Sequence, residues 1–315
     1  MTRALIIGSE GQDGSILFDR ITADGGAVLG LGRDSLRGTA TDGLAPINIS
    51  SREQMATLLG RWRPDEIYYL PAVHQASEEP VGADDAALFN SSLEVHVTGL
   101  VHVLEEIRKQ DLDARVFYAA SSLVFGDVTM DTQDERTPMR PRCIYGITKA
   151  TGVNACRFYR EMHGLHASAG ILYNHESPLR RRSFVSQKII RSAVAISRGS
   201  DEKLVLGDLS ARIDWGYAPD YVDAMIRVVR QPSPDDYVIA SGEPRSVQEF
   251  AEVAFGLLGL DWRSHVVEDS NVLTRRSGTR VGNSAKLRER TGWSPRVTFA
   301  PMIAILLEAA QHNAG

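Results

Sequence analysis

Arg3-Ala-Leu-Ile-Ile7-Gly8-Ser-Glu-Gly11-Gln-Asp-Gly14-Ser15 is the stretch that decides the fold. The apolar run 4–7 has the length and branched residues of a buried strand. Gly8, Gly11 and Gly14 follow at intervals of three, where the chain turns from strand into helix. Glycines there let a backbone approach a pyrophosphate, and the helix N-terminus offers free N–H groups and a positive dipole end. The chain holds 27 glycines, so spacing alone says little. The context, after a first strand and before a helix opening at Ser15, predicts a dinucleotide cradle of Gly8, Gly11, Gln12, Asp13 and Gly14.

Downstream, short apolar runs alternate with amphipathic stretches. Runs at 27–31, 66–70, 116–119 and 167–172 read as strands, and 54–63, 95–110 and 148–162 as helices between them. The alternation predicts an α/β chain with a doubly wound parallel sheet. The rhythm breaks near Asn174; a further strand at 237–240 and helices at 247–258 and 301–312 follow. The expected division is a dinucleotide-binding domain of residues 1–172 plus about 214–240, and a smaller substrate domain of 173–213 and 241–315.

Other strand ends complete the expected cofactor site. The second strand ends at Gly32-Arg33-Asp34. An acid at this place hydrogen-bonds the ribose hydroxyls of NAD, whereas Arg33 suits the 2′-phosphate of NADP. NADP is the expected cofactor, with NAD the alternative. By position, Asn48 and Ile49 flank the adenine, and Leu70 and Ala72 line the ribose side.

The composition excludes more than it selects. At 315 residues, 43% hydrophobic and 24% charged, the chain is an ordinary globular one. A net charge of −5 gives no reason to expect nucleic acid or an anionic membrane. No apolar stretch approaches the length of a membrane span, and no signal-peptide pattern precedes the first strand. Cys143 and Cys156 make neither a disulfide framework nor a metal spacing, so a reducing cytoplasm is the expected compartment. His163 and His166 lack a third ligand, and no metal site is expected.

The chemistry is carried by three polar residues. Ser121 and Ser122 end the strand-like run 115–120, and Tyr145 and Lys149 lie at i and i+4, on one helix face. Only five lysines stand against 30 arginines, so a retained lysine suggests a need for a compact ammonium with a shiftable pKa. An ammonium beside a phenol stabilises the phenolate. Tyr145 is then suited to exchange a proton with a sugar hydroxyl near neutral pH. Ser121 is placed to bond the same oxygen, and Lys149 to hold the nicotinamide ribose. The plainer reading, a surface helix pair, leaves the Ser-Ser strand end and the glycine loop unexplained.

With these residues the chain resembles the extended short-chain dehydrogenase/reductase family, and within it the GDP-mannose 4,6-dehydratases. The resemblance runs through Gly11-Gln-Asp-Gly-Ser15, Glu78-Glu-Pro80, Gly99-Leu-Val-His-Val-Leu-Glu-Glu-Ile-Arg108 and Pro141-Arg-Cys-Ile-Tyr-Gly-Ile-Thr-Lys149. Its most specific segment is Gly170-Ile-Leu-Tyr-Asn-His-Glu-Ser-Pro178; Phe184-Val-Ser-Gln-Lys-Ile-Ile-Arg191, Asp214-Trp-Gly-Tyr-Ala218 and Gly292-Trp-Ser-Pro295 follow. It implies a nucleoside-diphosphate sugar, GDP-linked, as partner. It also implies that Ser122, Asn174, Val185, Lys188, Arg212, Arg275 and Arg276 bind it, with Lys188 near the base and an arginine of the 275–276 pair at the pyrophosphate. A homodimer or higher homo-oligomer, pairing through the helix carrying Tyr145 and the 95–110 helix, is implied too.

One departure bears on the reaction. The dehydratases carry Ser/Thr-Ser-Glu where this chain has Ser121-Ser122-Leu123, and that glutamate removes the C5 proton when water is eliminated across C5 and C6. Leucine transfers no proton. The arginine expected before Asp214 is Ile213, with Arg212 adjacent. Asp127, Asp131, Glu135 and Glu176 are the acids weighed as substitutes, and His74 as a further sugar contact. The expectation is therefore an enzyme acting at C4 of a nucleotide hexose, as reductase or epimerase. Dehydration with a relocated base is the alternative. A non-catalytic NADP-binding protein is the third reading, and Ser121, Tyr145 and Lys149 argue against it.

Overall fold

The computed structural model describes residues 1–38, 46–73, 84–127, 132–273 and 279–312. The chain opens with β1 (Arg3–Ile7), α1 (Gln12–Ala23), β2 (Ala27–Leu31) and a short β3 (Leu36–Gly38). There follow α2 (Arg52–Trp62), β4 (Glu66–Tyr69), α3 (Asp85–Leu93), α4 (Gly99–Lys109), β5 (Arg115–Ser121), α5 (Ile144–His163) and β6 (Ala167–Leu172). Next come β7 (Asn174–Glu176), α6 (Val185–Ser197), β8 (Leu204–Leu206), β9 (Arg212–Tyr217), α7 (Ala218–Val229) and β10 (Asp236–Ile239). The last elements are β11 (Pro244–Ser246), α8 (Val247–Gly256), β12 (Val266–Glu268), α9 (Ala285–Thr291) and α10 (Phe299–His312).

The main sheet runs β10-β6-β5-β4-β1-β2-β3 and is parallel except for β3 at one edge. Helices cover both faces, which is why Ala4, Leu5, Ile6 and Ile7 are all buried rather than alternating. Ile7 lies level with Leu31 and Tyr69, and Tyr69 with Tyr118, before β5 and β6 run on together to Ser121 and Leu172. The loops after these strands therefore emerge at one edge. β1 has β2 on one side and β4 on the other, so the winding reverses there, and a crevice opens outside the strand ends. This is the doubly wound α/β sheet expected from the alternation.

Two helices have informative boundaries. α5 starts four residues earlier than the apolar pattern predicts, because Cys143 caps it, its Sγ accepting from the Gly146 N–H at 3.4 Å. The expected helix 95–110 is instead a π-helical turn over Glu94–Thr98, which continues α3, followed by α4. The widened turn carries a buried histidine, His96.

A second core gathers around α6, α8 and α10, with Trp215, Phe250 and Phe299 stacked or edge-on at 5.1–5.8 Å. Its sheet, β11-β9-β7, consists of pieces too short to show in the hydrophobic pattern. β8 pairs with β12 beside it. Between the two cores, α7 leads from β9 back to the main sheet, where β10 pairs with β6. Arg157 and Arg160 of α5 fix that edge, holding the buried Asp236 carboxylate at 2.6 and 3.2 Å.

Asp214 of β9 ties the returning segments together. It is 1% exposed and accepts from the Ser241 N–H and hydroxyl, the Gly242 N–H and the Gly282 N–H at 2.6–3.1 Å. Burial raises its pKa, against the pull of those four donors. Asp214→Ala leaves the donors buried without an acceptor and should cost about 3 kcal/mol, read by chemical denaturation.

Candidate active site

The crevice at the strand ends is a cleft of about 1060 Å³. Gly8, Gly11, Gln12, Asp13 and Gly14 line one wall of it. Gly8 adopts φ +87°, and a Cβ on Gly14 would lie 2.2 Å from the Gly8 carbonyl oxygen, so neither position admits a side chain. No side chain caps α1, whose N-cap is Gly11. The first-turn N–H groups are thus left to an anion. The cradle fits a dinucleotide pyrophosphate.

The remaining expected cofactor residues reach the same cleft: Arg33 after β2, Asn48 and Ile49 before α2, Leu70 and Ala72 after β4, and Tyr145 and Lys149 on α5. Arg33 has an exposed side chain, and its N–H donates to Glu10 Oε2 at 3.2 Å.

Ser121, Tyr145 and Lys149 meet in this cleft. Ser121 ends β5, and its Oγ accepts from the Leu123 N–H at 3.3 Å. Lys149 is 1% exposed. Its Nζ donates to the Ala119 carbonyl at 2.7 Å and the Pro71 carbonyl at 3.0 Å, joining the ends of β5 and β4 to α5. Two of its three donors are used there, which leaves one for a ribose hydroxyl. The ammonium lies 5.8 Å from the Tyr145 ring centroid. Burial pushes the lysine pKa down to about 7, with the Asp13 carboxylate partly opposing the shift.

Sequence reasoning missed two supports of this site. His96 is fully buried, edge-on to the Tyr145 ring at 5.2 Å. Its Nε2 accepts from the Val73 N–H at 2.8 Å, and its Nδ1 is 2.7 Å from Thr148 Oγ1. A backbone N–H only donates, so Nε2 is unprotonated and Nδ1 carries the hydrogen. His96 thereby fixes both α5 and the loop after β4; its one sequence signal is a polar residue between Val95 and Val97. The second support is a clamp between the glycine loop and β7. His175 Nε2 is 3.0 Å from both Asp13 oxygens, and its ring stacks on Tyr221 at 4.7 Å. Gln12 donates to the His175 carbonyl at 3.1 Å and accepts from the Ser177 hydroxyl at 2.9 Å. Burial works against the Asp13 carboxylate, but the His175 ring and the Gln12 amide outweigh it and hold its pKa below the usual range.

Of the expected substrate residues, Asn174 lines the cleft, together with Leu179, Arg180, Arg181 and Phe184. Arg180 sits 3.7 Å over the Phe184 ring, and its Nε is 3.6 Å from Glu176. Ser122 is buried at the start of a 3-10 turn, Ser122–Phe125, and does not reach the cleft wall. Val185 and Lys188 lie on α6, Val185 against the second core. Arg212 donates to the Pro244 carbonyl at 2.8 Å, across the β9–β11 pair. Arg275, Arg276, His74 and Asp131 lie outside the described residues, as does the Glu78–Pro80 match.

Of the acids weighed as substitutes, the three that are described lie outside the cleft lining. Asp127 is exposed, 3.6 Å from Arg142. Glu135 accepts from the Val238 N–H at 2.7 Å, and burial raises its pKa. Glu176 is 1% exposed and accepts from the Ser186 hydroxyl. None of the three lines the cleft. Among the described residues no cluster of three or more His, Cys, Asp or Glu side chains is arranged to hold a metal, and no helix is long and apolar enough to cross a membrane.

A family model described as GDP-mannose 4,6 dehydratase matches residues 5–306. GDP-mannose 4,6 dehydratase 1 of Arabidopsis thaliana is 35% identical over 97% of this chain and 88% of its own length. The structure of RMD from Pseudomonas aeruginosa, complexed with NADPH, superposes with a TM-score of 0.83 at 19% identity, over 99% of this chain and 100% of that one. dTDP-glucose 4,6-dehydratase from Bacillus anthracis, in complex with NAD, gives 0.81 at 17% identity, over 99% and 97%. These two share the fold. The match across nearly the whole sequence goes further: the chain belongs to the GDP-mannose 4,6-dehydratase family.

Proposed function

We propose that the protein moves a hydride at C4 of a nucleotide-linked hexose, GDP-linked as in the relatives' names, as a C4 epimerase or 4-keto reductase. The observation that carries the choice of reaction is Leu123. It stands directly after the Ser121-Ser122 pair, in the 3-10 turn Ser122–Phe125, where the resembled dehydratases carry their carboxylate; Glu135 and Glu176 are hydrogen-bonded outside the cleft lining, and Asp127 is exposed, 3.6 Å from Arg142.

A nicotinamide dinucleotide, when bound, supplies the hydride acceptor or donor. The chain's own residues manage the proton and the geometry. Ser121 and Tyr145 hold the C4 oxygen, and the Tyr145 hydroxyl exchanges its proton as that carbon changes oxidation state. Lys149 orients the ribose and, while charged, favours the phenolate of Tyr145. Asn174, Arg180 and Arg181 face the sugar nucleotide, arginine forks being suited to phosphate oxygens. We assign residues 1–172 with about 214–240 to the dinucleotide, and 173–213 with 241–315 to the substrate. Dehydration remains the second reading, favoured by the 35% identity to a named dehydratase.

The test is a product analysis. Incubated with GDP-mannose and oxidised dinucleotide, the protein should give the C4 epimer; with a 4-keto nucleotide hexose and reduced dinucleotide, the reduced sugar. Steady formation of a 4-keto-6-deoxy product by the wild type would sink this reading in favour of dehydration. Leu123→Glu should add some dehydration. Tyr145→Phe should lower turnover by roughly 10²–10⁴-fold while dinucleotide binding persists.

Lys149 gives a pH signature. Its folded-state pKa of about 7 lies below the unfolded value, which is about 10.4. Between them the unfolded chain binds more protons, so stability rises with pH. Without dinucleotide, the wild-type Tm should gain on that of Lys149→Met as pH is raised through that window; a constant difference contradicts the lowered lysine pKa.

For assembly we propose a homodimer through α5 and α4, supported by Phe158 and Met162, 52% and 67% exposed on one stripe of α5. Phe158→Asp should sediment as a monomer where the wild type sediments as a dimer.

A further inference from the structure

The reading of the cleft as a nicotinamide-dinucleotide site leaves Glu10 without a role. It lies inside the glycine loop yet reaches across to the end of β2. There its Oε1 accepts from the Ser35 hydroxyl at 2.5 Å, and its Oε2 from the Arg33 N–H at 3.2 Å. It lies so close to Gly32 that a Cβ on that glycine would come within 2.3 Å of the Glu10 carboxyl carbon. Glu10, Gly32, Arg33 and Asp34 all line the cleft. Beneath them the Arg37 guanidinium donates to the Ser9 carbonyl at 2.8 Å and stacks 4.0 Å over the Phe18 ring.

The end of the second strand is where a doubly wound sheet receives the adenosine ribose. A hydroxyl, a backbone N–H and the cationic side chains of Arg33 and Arg37 gather there, the donor set of an anion site. The chain fills that site with its own carboxylate. We propose that Glu10 is the residue that sets cofactor specificity, its carboxylate taking the donors a 2′-phosphate would need and so selecting NAD over NADP.

Both halves of the selection follow from charge. An incoming 2′-phosphate meets a fixed like charge and must displace it from two hydrogen bonds. A 2′-hydroxyl can instead donate to the same carboxylate. The Ser35 hydroxyl and the Arg33 amide hold the Glu10 carboxyl below the usual range, so the charge persists through neutral pH. The Arg33 side chain, the sequence's argument for NADP, is exposed beside this carboxylate.

The experiment is a titration of the full chain with NADH and with NADPH, followed by nicotinamide fluorescence, for wild type, Glu10→Gln and Glu10→Thr. Glu10→Gln keeps the side-chain shape, and a second variant guards against a folding defect in the first. The wild type is expected to bind NADH at least ~10-fold tighter than NADPH. Each variant is expected to shift that ratio toward NADPH by roughly 10-fold, with NADH affinity changed less than about threefold. A wild type that binds NADPH as tightly as NADH, or variants that leave the ratio where it was, would overturn the assignment while leaving the dinucleotide reading intact. Binding of neither dinucleotide by a folded wild type would overturn the dinucleotide reading itself, and the assignment with it.

Discussion

The site depends on how closely α1 approaches the end of β1. No methyl group fits between Gly14 and the Gly8 carbonyl. That contact sets the helix directly over the strand end, with its first turn aimed into the crevice. Everything else is placed against this turn. The β4 and β5 ends stand level with it through the sheet register, and Lys149 ties those two ends to α5. β7 is tied to it through Asp13 and His175. A side chain at residue 14 would displace the helix and with it both ligand walls.

Charge burial organises the catalytic end. A lysine sealed beneath the strand ends loses water, and two carbonyl oxygens do not replace all of it. Its pKa falls to about 7, where an ammonium and an amine are both accessible. Other buried carboxylates of the fold are met by cations, Asp236 by two arginines and Glu66 by Arg230 at 2.7 Å, or by neutral donors, as Asp214 is. Among the described residues Lys149 has no carboxylate at hydrogen-bond distance, its Nζ donating to two backbone carbonyls instead.

Much of this was legible in the sequence because the signals are local. Runs such as 4–7 and 167–172 are uniformly apolar because parallel strands are covered on both faces, and the glycine spacing marks its own turn. Tyr145 and Lys149 declare a shared face by being four apart. What escaped depends on neighbours far along the chain. Glu10 reads as a loop residue until the β2 end, some twenty residues on, is folded against it. His96 matters through Val73 and Thr148, and Asp13 through His175, 162 positions away. β7 and β11 are three residues each, too short for any periodicity. Arg212, an arginine in a suggestive place, gives one donor to a backbone carbonyl across its own sheet.

Leu123 has a meaning beyond the loss of a group. An enzyme that oxidises C4 in passing must hold a ketone whose neighbouring C–H bond has become acidic. A carboxylate beside that bond would divert some turnovers into elimination, and the sugar would leave as a dead-end product. On the proposed reading, an aliphatic side chain at that sequence position leaves the intermediate ketone without this neighbouring base. On the proposed reading, then, the leucine serves fidelity: it is what lets the ketone be returned as an alcohol.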